Sequence, residues 1–378
     1  MSSSPQDTRR ARDHGLPLEG EPGEWNAITD VAGVEVGFRT LVAGDGDLRE
    51  GEGPVRTGVT AILPRGREGV GTSCAAGFHS LNGNGELTGS HWLEESGSLS
   101  LPIGITNTHS VGAAHRGILG WSLRTNPALK PAWHLPVVGE TWDGYLNDIN
   151  GDHVQPEHAV AALDAAASGP IEEGSVGGGT GMNCYAFKGG TGTSSRRVRM
   201  GGSEYTVGVL LQANFGSRKE LVVCGRRVGR DLLDDNPMED DSWLAPPGAG
   251  SCIGIVATDA PLLPGQCKAL ARRVGLGLAR TGTTGSHFSG DIFLAFSTAN
   301  PGSLDSSIHD QGSELRNLEF LPWGAMDPLY EAVVQATEES VLNALVAART
   351  TVGRDGHRSP ALPTSALAGP WPPSQVPQ

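Results

Sequence analysis

The chain has 378 residues, and 28 Lys and Arg against 42 Asp and Glu give it a net charge of −14. A chain this acidic lacks the basic patches that bind phosphate backbones, so the composition argues against a nucleic-acid partner. Apolar residues make up 38%, and no apolar run reaches the roughly 18 residues of a membrane-spanning helix. We expect a soluble globular protein without a membrane partner.

The cysteines and the N-terminus indicate the compartment. Five cysteines, an odd number without C-x-x-C spacing, favour neither a disulfide framework nor a structural zinc site. The polar first residues have no apolar segment behind their arginines, which argues against a secretory signal. We therefore expect a cytoplasmic protein.

The predicted elements alternate along the chain between two tails, 1–14 and 352–378, that we expect to be flexible. Apolar patterns within the single predicted domain, 15–350, indicate short strands and longer helices. The predicted strands are 60–63, 72–78, 184–188, 205–213, 221–224, 251–258 and 291–297, and the predicted helices are 111–123, 157–167, 264–280 and 328–349. Strands that are apolar on both faces predict a layered α/β fold, with helices outside one sheet or two packed sheets.

Several stretches resemble ligand motifs without completing them. The glycine runs at 177–181 and 189–192 lack the G-x-x-x-x-G-K-[ST] spacing of a phosphate loop, and we read them as tight turns. Asp148, Asn150 and Asp152 begin like a calcium loop, but the sixth and twelfth positions are His and Ala instead of Gly and Glu. No histidine pair has metal-ligand spacing with a carboxylate, so we expect no metal site.

The junction between Gly250 and Ser251 is the most informative stretch, because a loop of small residues meets an apolar strand at a serine. In N-terminal nucleophile hydrolases, chain cleavage frees such a serine, and its α-amino group, with a pKa of about 7.7–8.0, can act as base. A preceding glycine leaves the scissile carbonyl open to attack. The alternative is an ordinary serine where a loop enters a strand.

Three further segments carry polar side chains at strand ends. Ser289 and Asp291 lie two apart at a strand entrance and so share one face of the strand. Asn214 ends an apolar strand, where its amide can donate to a developing oxyanion. Glu140 follows another strand and can hold a cationic amine. Each also has a plainer interpretation, as a strand-entry turn or a loop cap.

Together these four segments resemble the self-processing P1-type (S58-type) peptidases, the family of the L-aminopeptidase/D-esterase and the β-peptidyl aminopeptidases. The resemblance runs from about residue 12 to residue 348 and includes several long strings. These are LNGNGELTG at 81–89, ITNTHSVG at 105–112, LNDING at 146–151, GGGTGM at 177–182, FKGGTGT at 187–193 and SGDIFLAFSTAN at 289–300.

The resemblance implies a four-layer α-β-β-α sandwich, like that of N-terminal nucleophile hydrolases but with different strand connectivity. It also implies one self-cleavage between Gly250 and Ser251, which gives an alpha chain, 1–250, and a beta chain, 251–378, that stay together. By the same resemblance, such heterodimers assemble into a homo-oligomer, a tetramer.

Matched residue by residue, the resemblance makes Ser251 the nucleophile and Asn214 the oxyanion donor. Ser289 and Asp291 match the supporting hydroxyl and carboxylate, and Glu140 matches the acid that meets the free amine of the substrate. Some members have a glutamate in place of this aspartate, which bears on substrate preference.

Another departure concerns the aromatic residue after the Glu140 strand. Some members have tyrosine where this chain has Trp142, whose indole can donate a hydrogen bond but cannot exchange a proton. Tyr145 lies nearby in the sequence as a second candidate for contacting the substrate.

The predicted function is therefore an aminopeptidase that releases N-terminal residues from small peptides, amides or esters through an acyl-enzyme on Ser251, without a metal or an organic cofactor. Specificity for β-peptides is an alternative. A related self-cleaving acetyltransferase uses threonine, and a non-catalytic binding protein of this fold would be expected to lose Ser251 or its neighbours. A thiol enzyme based on Cys252 is disfavoured, because alternation along a strand points that side chain to the opposite face.

Overall fold

The computed structural model describes residues 9–239, 250–305, 315–369 and 371. In these residues the strands are β1 (Glu35–Ala43), β2 (Val55–Leu63), β3 (Cys74–Ser80), β4 (Ser98–Leu99), β5 (Ile103–Asn107), β6 (Val137–Thr141), β7 (Asn183–Cys184), β8 (Phe187–Lys188), β9 (Gly190–Met200), β10 (Ser203–Asn214), β11 (Gly250–Thr258), β12 (Ser289–Ser297), β13 (Thr351–Val352) and β14 (Arg358–Ser359). The α-helices are α1 (Ser90–Ser96), α2 (Val111–Thr125), α3 (Pro156–Asp164), α4 (Pro264–Arg280) and α5 (Asp327–Ala347).

Two sheets packed face to face form the centre of the molecule. The first has the strand order β1-β2-β5-β6, and the second has the order β4-β3-β12-β11-β10-β9. Helices α2 and α3 cover the outer face of the first sheet, and α4 and α5 cover the outer face of the second. Between the sheets, Ile62 and Ile105 of the first pack with Leu210, Ile255 and Phe296 of the second. The predicted α-β-β-α sandwich is confirmed.

Strand β11 is central to the second sheet and alternates between two cores. Ile253 and Ile255 pack between the sheets, whereas Cys252 and Val256 pack against the helices. The strand pairs antiparallel with β10 and parallel with β12. Because successive side chains of a strand point to opposite faces, Ser251 faces the first sheet.

The predicted helices are all present, and α4 has the predicted bounds. Pro264 occupies its first turn, where a missing backbone N–H costs no helical hydrogen bond. The side chain of Gln266 accepts from the Leu263 N–H at 2.9 Å and so caps the same turn. Within the described residues, no helix is long and apolar enough to cross a membrane.

Two predicted strands have a different structure. Residues 184–188 were predicted as one strand, but they belong to a tight hairpin between β7 and β8, because Tyr185 and Ala186 have φ angles of 54° and 56°. Residues 221–224 form a bend instead of a strand, with a single bridge between Val223 and Arg226. An apolar run alone does not distinguish a strand from a buried turn.

Strand β9 was not predicted, because its residues are small or polar. The close packing of α5 explains this composition. A Cβ on Gly192 would collide with the carbonyl of Ser340, and Ser194 Oγ donates to the carbonyl of Ala336 at 2.6 Å. The strand therefore needs small residues where other strands carry apolar ones.

The described parts of both predicted flexible tails make specific contacts with the rest of the domain, which differs from the prediction. Near the N-terminus, Ala11 is fully buried, and Arg12 pairs with the buried carboxylate of Glu339 at 2.9 Å. Near the C-terminus, the carbonyl of Pro360 accepts from the N–H of Lys188 at 2.7 Å. Specific polar contacts hold these segments, so their lack of apolar periodicity was misleading. Of the loop predicted at 231–250, residues 240–249 lie outside the described residues.

Candidate active site

Ser251 lies near the start of β11, directly opposite Asn214 of β10 and Gly290 of β12. Its side chain is buried, and Oγ has no hydrogen-bond partner among the residues that the structure describes. A buried hydroxyl without a partner typically costs about 1–3 kcal/mol. The described residues thus leave this hydroxyl without a partner, although the backbone of β11 pairs with a strand on each side.

Gly250 is required by packing. A Cβ at this position would collide with the carbonyl oxygen of Asn214 and would lie 3.1 Å from the Cα of Phe215. Any side chain at position 250 would push β11 away from β10. Glycine thus allows the bond between Gly250 and Ser251 to lie directly against the strand that carries Asn214.

The amide of Asn214 is fixed in orientation by two hydrogen bonds. Its Oδ1 accepts from the N–H of Asn183, and its Nδ2 donates to the carbonyl of Trp142, both at 2.9 Å. These partners decide which atom of the amide is the nitrogen. The Cβ atoms of directly opposed residues lie about 4.5–5.5 Å apart, so the second Nδ2 hydrogen is within reach of a group bound at Ser251.

Ser289 and Asp291 form a buried hydroxyl–carboxylate pair, with Ser289 Oγ donating to Asp291 Oδ1 at 2.7 Å. Asn82 holds the carboxyl group of Asp291 through its Nδ2 at 2.9 Å and accepts from the Asp291 N–H at 2.6 Å. Burial raises the pKa of Asp291, while the hydrogen bonds from Ser289 and Asn82 lower it. The balance is a raised pKa for Asp291.

The register puts this pair beside the Gly250–Ser251 peptide. Ser289 is opposite Gly250, and Asp291 is opposite Cys252. By alternation the pair lies on the helix-facing side of the sheet, whereas the Ser251 side chain faces the first sheet. The pair therefore flanks the backbone on either side of Ser251, on the face opposite to its hydroxyl.

Glu140, the penultimate residue of β6, is a buried carboxylate. Its Oε1 accepts from the N–H of Glu86 at 2.9 Å, and its Oε2 accepts from Thr108 Oγ1. Burial raises the pKa of Glu140, and these two hydrogen bonds oppose the shift. A Cβ on Gly85 would lie 3.3 Å from Glu140 Oε1 and 3.0 Å from the Cα of Gly290. Gly290 of β12 is opposite Ser251. Gly85 therefore lies between the Glu140 carboxylate and the part of β12 that flanks Ser251.

The two aromatic candidates differ in position. Trp142 is half-buried, and its carbonyl contacts the Asn214 amide described above. Tyr145 is buried, its ring stacks on His357 at 4.8 Å, and its hydroxyl donates to the carbonyl of Arg358 at 3.3 Å. These contacts of Tyr145 are with the C-terminal segment, and its role as a substrate contact stays a prediction.

Cys252 is fully buried in the helix-side core, as predicted from strand alternation. Burial raises the pKa of its thiol well above the usual range, because the thiolate would be desolvated. Among the described residues, no group of three or more His, Cys, Asp or Glu side chains is arranged to hold a metal ion.

Four buried or half-buried polar residues near the site were not predicted from the sequence, namely Asn82, Thr108, Asn183 and Lys188. The first three contact Asp291, Glu140 and Asn214 as described above, and Lys188 lies fully buried in the β7–β8 hairpin. Three of the four lie within strings that carry the family resemblance, at 81–89, 105–112 and 187–193. That was their only signal, because a lone polar residue in a glycine-rich loop predicts no partner.

Comparison with known proteins gives one family. A sequence model described as peptidase family S58 matches residues 26–359. Two relatives are both named beta-peptidyl aminopeptidase BapA. The one from Sphingosinicella microcystinivorans is 50% identical and the one from Sphingosinicella xenopeptidilytica 45%, each over 95% of this chain and 90% of its own length.

Solved structures agree with this result. The L-aminopeptidase D-Ala-esterase/amidase from Ochrobactrum anthropi has a TM-score of 0.87 and 44% identity, and the match covers 95% of this chain and 96% of that one. Its structure is described as a prototype for the serine aminopeptidases and a new variant among the Ntn hydrolase fold. A β-aminopeptidase from a Burkholderia species has a TM-score of 0.85 and 44% identity, with 95% and 97% covered.

Proposed function

Because the chain belongs to peptidase family S58 and is an aminopeptidase, we propose that Ser251 is its nucleophile. Cleavage after Gly250 would free Ser251 as a new N-terminus. The observation that carries the proposal is the buried Ser251 Oγ, which has no hydrogen-bond partner within the described part of the chain and lies opposite an oriented asparagine amide. The tight contact of Gly250 with β10 supports the position of the cleavage.

In the self-cleavage step, Ser251 Oγ attacks the carbonyl carbon of Gly250. The C–N bond breaks, the proton of the hydroxyl ends on the released amine, and the acyl group moves from nitrogen to oxygen. Water then hydrolyses this ester. Residues 1–250 end in a carboxylate, and Ser251 carries both its hydroxyl and a free α-amino group.

In turnover, the α-amino group of Ser251 takes the proton from Oγ as the hydroxyl attacks the substrate carbonyl. A free α-amino group has a pKa of about 7.7–8.0, which suits a base near neutral pH. The Ser289–Asp291 pair lies in register beside this nitrogen and can orient it. Asn214 Nδ2 donates to the oxyanion, the leaving amine departs with a proton, and water hydrolyses the acyl-enzyme.

The carboxylate of Glu140 binds the ammonium group of the substrate. It is buried and held by Thr108 and the N–H of Glu86, so it is preorganised to accept a cation. Recognition of a free amine restricts hydrolysis to N-terminal residues of small peptides, amides and esters. Trp142, half-buried beside Asn214, is the proposed aromatic contact.

Preference for N-terminal β-amino acid residues is a second candidate, favoured by the names of two relatives that match 95% of the chain. Turnover of matched L-α-, D- and β-aminoacyl p-nitroanilides decides between the specificities. The tetramer of heterodimers and the cytoplasmic location remain predictions, to be tested by sedimentation of the cleaved enzyme and by cell fractionation.

We predict that the purified protein consists of two chains, 1–250 and 251–378, and that Ser251→Ala remains one chain without hydrolytic activity. A single hydroxyl serves both steps, so its loss stops both. Denaturing electrophoresis counts the chains, and N-terminal sequencing of the smaller one should read Ser-Cys-Ile-Gly.

The matched control is Cys252→Ala, the neighbouring residue on the opposite face of β11. This variant should be cleaved and should keep activity within about threefold of the wild type. An active wild-type enzyme that stays in one piece, or a Cys252→Ala variant that fails while Ser251→Ala works, would contradict the assignment.

We predict that Glu140→Gln lowers kcat/KM for substrates with a free amine at least tenfold. Removing one partner of a buried charge pair typically costs about 2–5 kcal/mol, and about 1.4 kcal/mol is a factor of ten. Cleavage after Gly250 should survive, because that bond presents no free amine.

The control for Glu140→Gln is the N-acetylated form of the same p-nitroanilide. It should be a poor substrate for the wild type and should be hydrolysed no more slowly by the variant. Equal losses on both substrates would mean that Glu140 has a structural or general catalytic role. If the wild type cleaved both substrates equally well, recognition would not depend on a free ammonium group.

We predict that Gly85→Ala raises KM for free-amine substrates, because the new Cβ would lie 3.3 Å from Glu140 Oε1 and 3.0 Å from the Cα of Gly290. Overpacking of this kind typically costs about 1–3 kcal/mol of folding stability, and if about 1 kcal/mol of it is lost from ammonium binding, KM rises about fivefold. Gly83→Ala is the matched control in the same loop, since its Cβ would meet no atom within 4 Å. Steady-state kinetics measure KM for both variants. Equal effects of the two substitutions would contradict the claim that Gly85 is needed to keep Glu140 in place.

A further inference from the structure

Lys188 is one of four lysines in the chain, and its side chain is fully buried. Its Nζ donates to three backbone carbonyls, those of Met182 at 2.8 Å, Gly189 at 3.0 Å and Gly179 at 3.2 Å. A buried ammonium is costly unless its donors are satisfied, and here all three are used. The proposed reaction assigns Lys188 no role.

The contact with Met182 leads directly to the oxyanion site. The carbonyl of the Met182–Asn183 peptide accepts from Lys188 Nζ, and the N–H of the same peptide donates to Asn214 Oδ1 at 2.9 Å. The Nδ2 of Asn214 then lies opposite Ser251 across β10 and β11. One ammonium, one peptide unit and one side-chain amide thus form a continuous chain of aligned dipoles.

We propose that Lys188 is a positioning residue for the oxyanion site, acting through the Met182–Asn183 peptide to orient and polarise the amide of Asn214. Hydrogen bonds in a chain strengthen one another in a low-dielectric interior. A positive charge at the carbonyl end makes the N–H of Asn183 a stronger donor, and the Asn214 Nδ2–H becomes a stronger donor in turn. This inference rests on the proposed roles of Asn214 and Ser251.

The charged state of Lys188 depends on its surroundings. Burial lowers its pKa to about 7, while Cys184 of β7 and Asp143 of the loop after β6 act in the opposite direction. Burial raises the pKa of Asp143 to about 7 as well. The ammonium is therefore present below about pH 7 and is lost as the pH rises, and its effect on Asn214 weakens in the same direction.

The first experiment compares Lys188→Met with Thr180→Val in the cleaved enzyme. Thr180 Oγ1 donates to the carbonyl of Gly177 at 2.6 Å, so its loss loosens the same glycine-rich turn without removing a charge. Removing an oxyanion donor outright costs about 10²–10³ in kcat, and weakening one should cost about tenfold. We expect this loss in kcat for Lys188→Met at pH 6, with KM within about threefold, and a change of less than about threefold for Thr180→Val.

The pH dependence separates polarisation from packing. The ratio of wild-type to Lys188→Met kcat cancels the shared groups that do not interact with Lys188, which leaves the titration of Lys188 coupled to that of Asp143. We expect this ratio to be about ten at pH 6 and to fall toward about two at pH 9. A ratio that is constant with pH, a loss confined to KM, or an equal loss in Thr180→Val would overturn the proposal.

If Lys188→Met does not fold or mature, the wild-type enzyme provides the test. With ¹³Cε-lysine, only four side chains contribute signals. We expect the signal of Lys188 to titrate near neutral pH, because burial lowers its pKa to about 7. An aminoalkyl boronic acid, whose anionic adduct on Ser251 mimics the oxyanion, should raise its pKa by about one unit, because coupling between two sites is reciprocal. If the adduct forms on Ser251 but the pKa of Lys188 does not change, the role of Lys188 is refuted and Ser251 stays the nucleophile. If no adduct forms, the proposed nucleophile is refuted.

Discussion

The register of β11 between β10 and β12 is the constraint on which the rest of the structure depends. It sets Ser251 opposite Asn214 on one side and opposite Gly290 on the other. A slip of one residue would turn Ser251 toward the helices and bring Cys252 to the face of the proposed site. The proposed chemistry therefore depends on backbone pairing as much as on the side chains themselves.

Packing on both faces of β11 pins this register. Ile253 and Ile255 fit only the core between the sheets, and Val256 fits the core beneath the helices. Glycine occupies two positions of β11 where neighbouring atoms leave no room for a side chain. A Cβ on Gly250 would strike β10, and one on Gly254 would lie 3.1 Å from both Phe293 and Val274. The strand can slide in neither direction without a clash or a buried mismatch.

The polar groups around Ser251 come from segments that are distant in the sequence. The loop at 82–86 supplies Asn82 to Asp291 and the Glu86 N–H to Glu140, and the β7–β8 hairpin supplies Asn183 to Asn214. Asp291, Glu140 and Asn214 are thus each held by a neighbour before any substrate binds. Such preorganisation lowers the cost of reaching the charged transition state.

The sequence predicted the parts of the structure that follow from local pattern. Helix α4 and the apolar face of β11 were predictable because proline, periodicity and alternation act within one element. The partnership of Ser289 with Asp291 was predictable because i and i+2 share a face, and the structure has their side chains 2.7 Å apart.

Long-range contacts were beyond such reasoning. The β7–β8 hairpin depends on positive φ angles at Tyr185 and Ala186, which neither residue type favours. Strand β9 was hidden by small residues that only the packing of α5 explains. The burial of Lys188 needs carbonyls from three separate residues to converge on one ammonium. No local sequence pattern reports such convergence.

The central claim is that Ser251 carries the acyl group during turnover. Its most direct test is rapid acid quench of the enzyme with an aminoacyl ester, followed by proteolysis and mass spectrometry of the beta chain. The account predicts the acyl mass on the peptide that begins at Ser251, and its loss on a slower time scale as water completes the reaction. An adduct on Cys252 or on any residue before Gly250 would contradict the account.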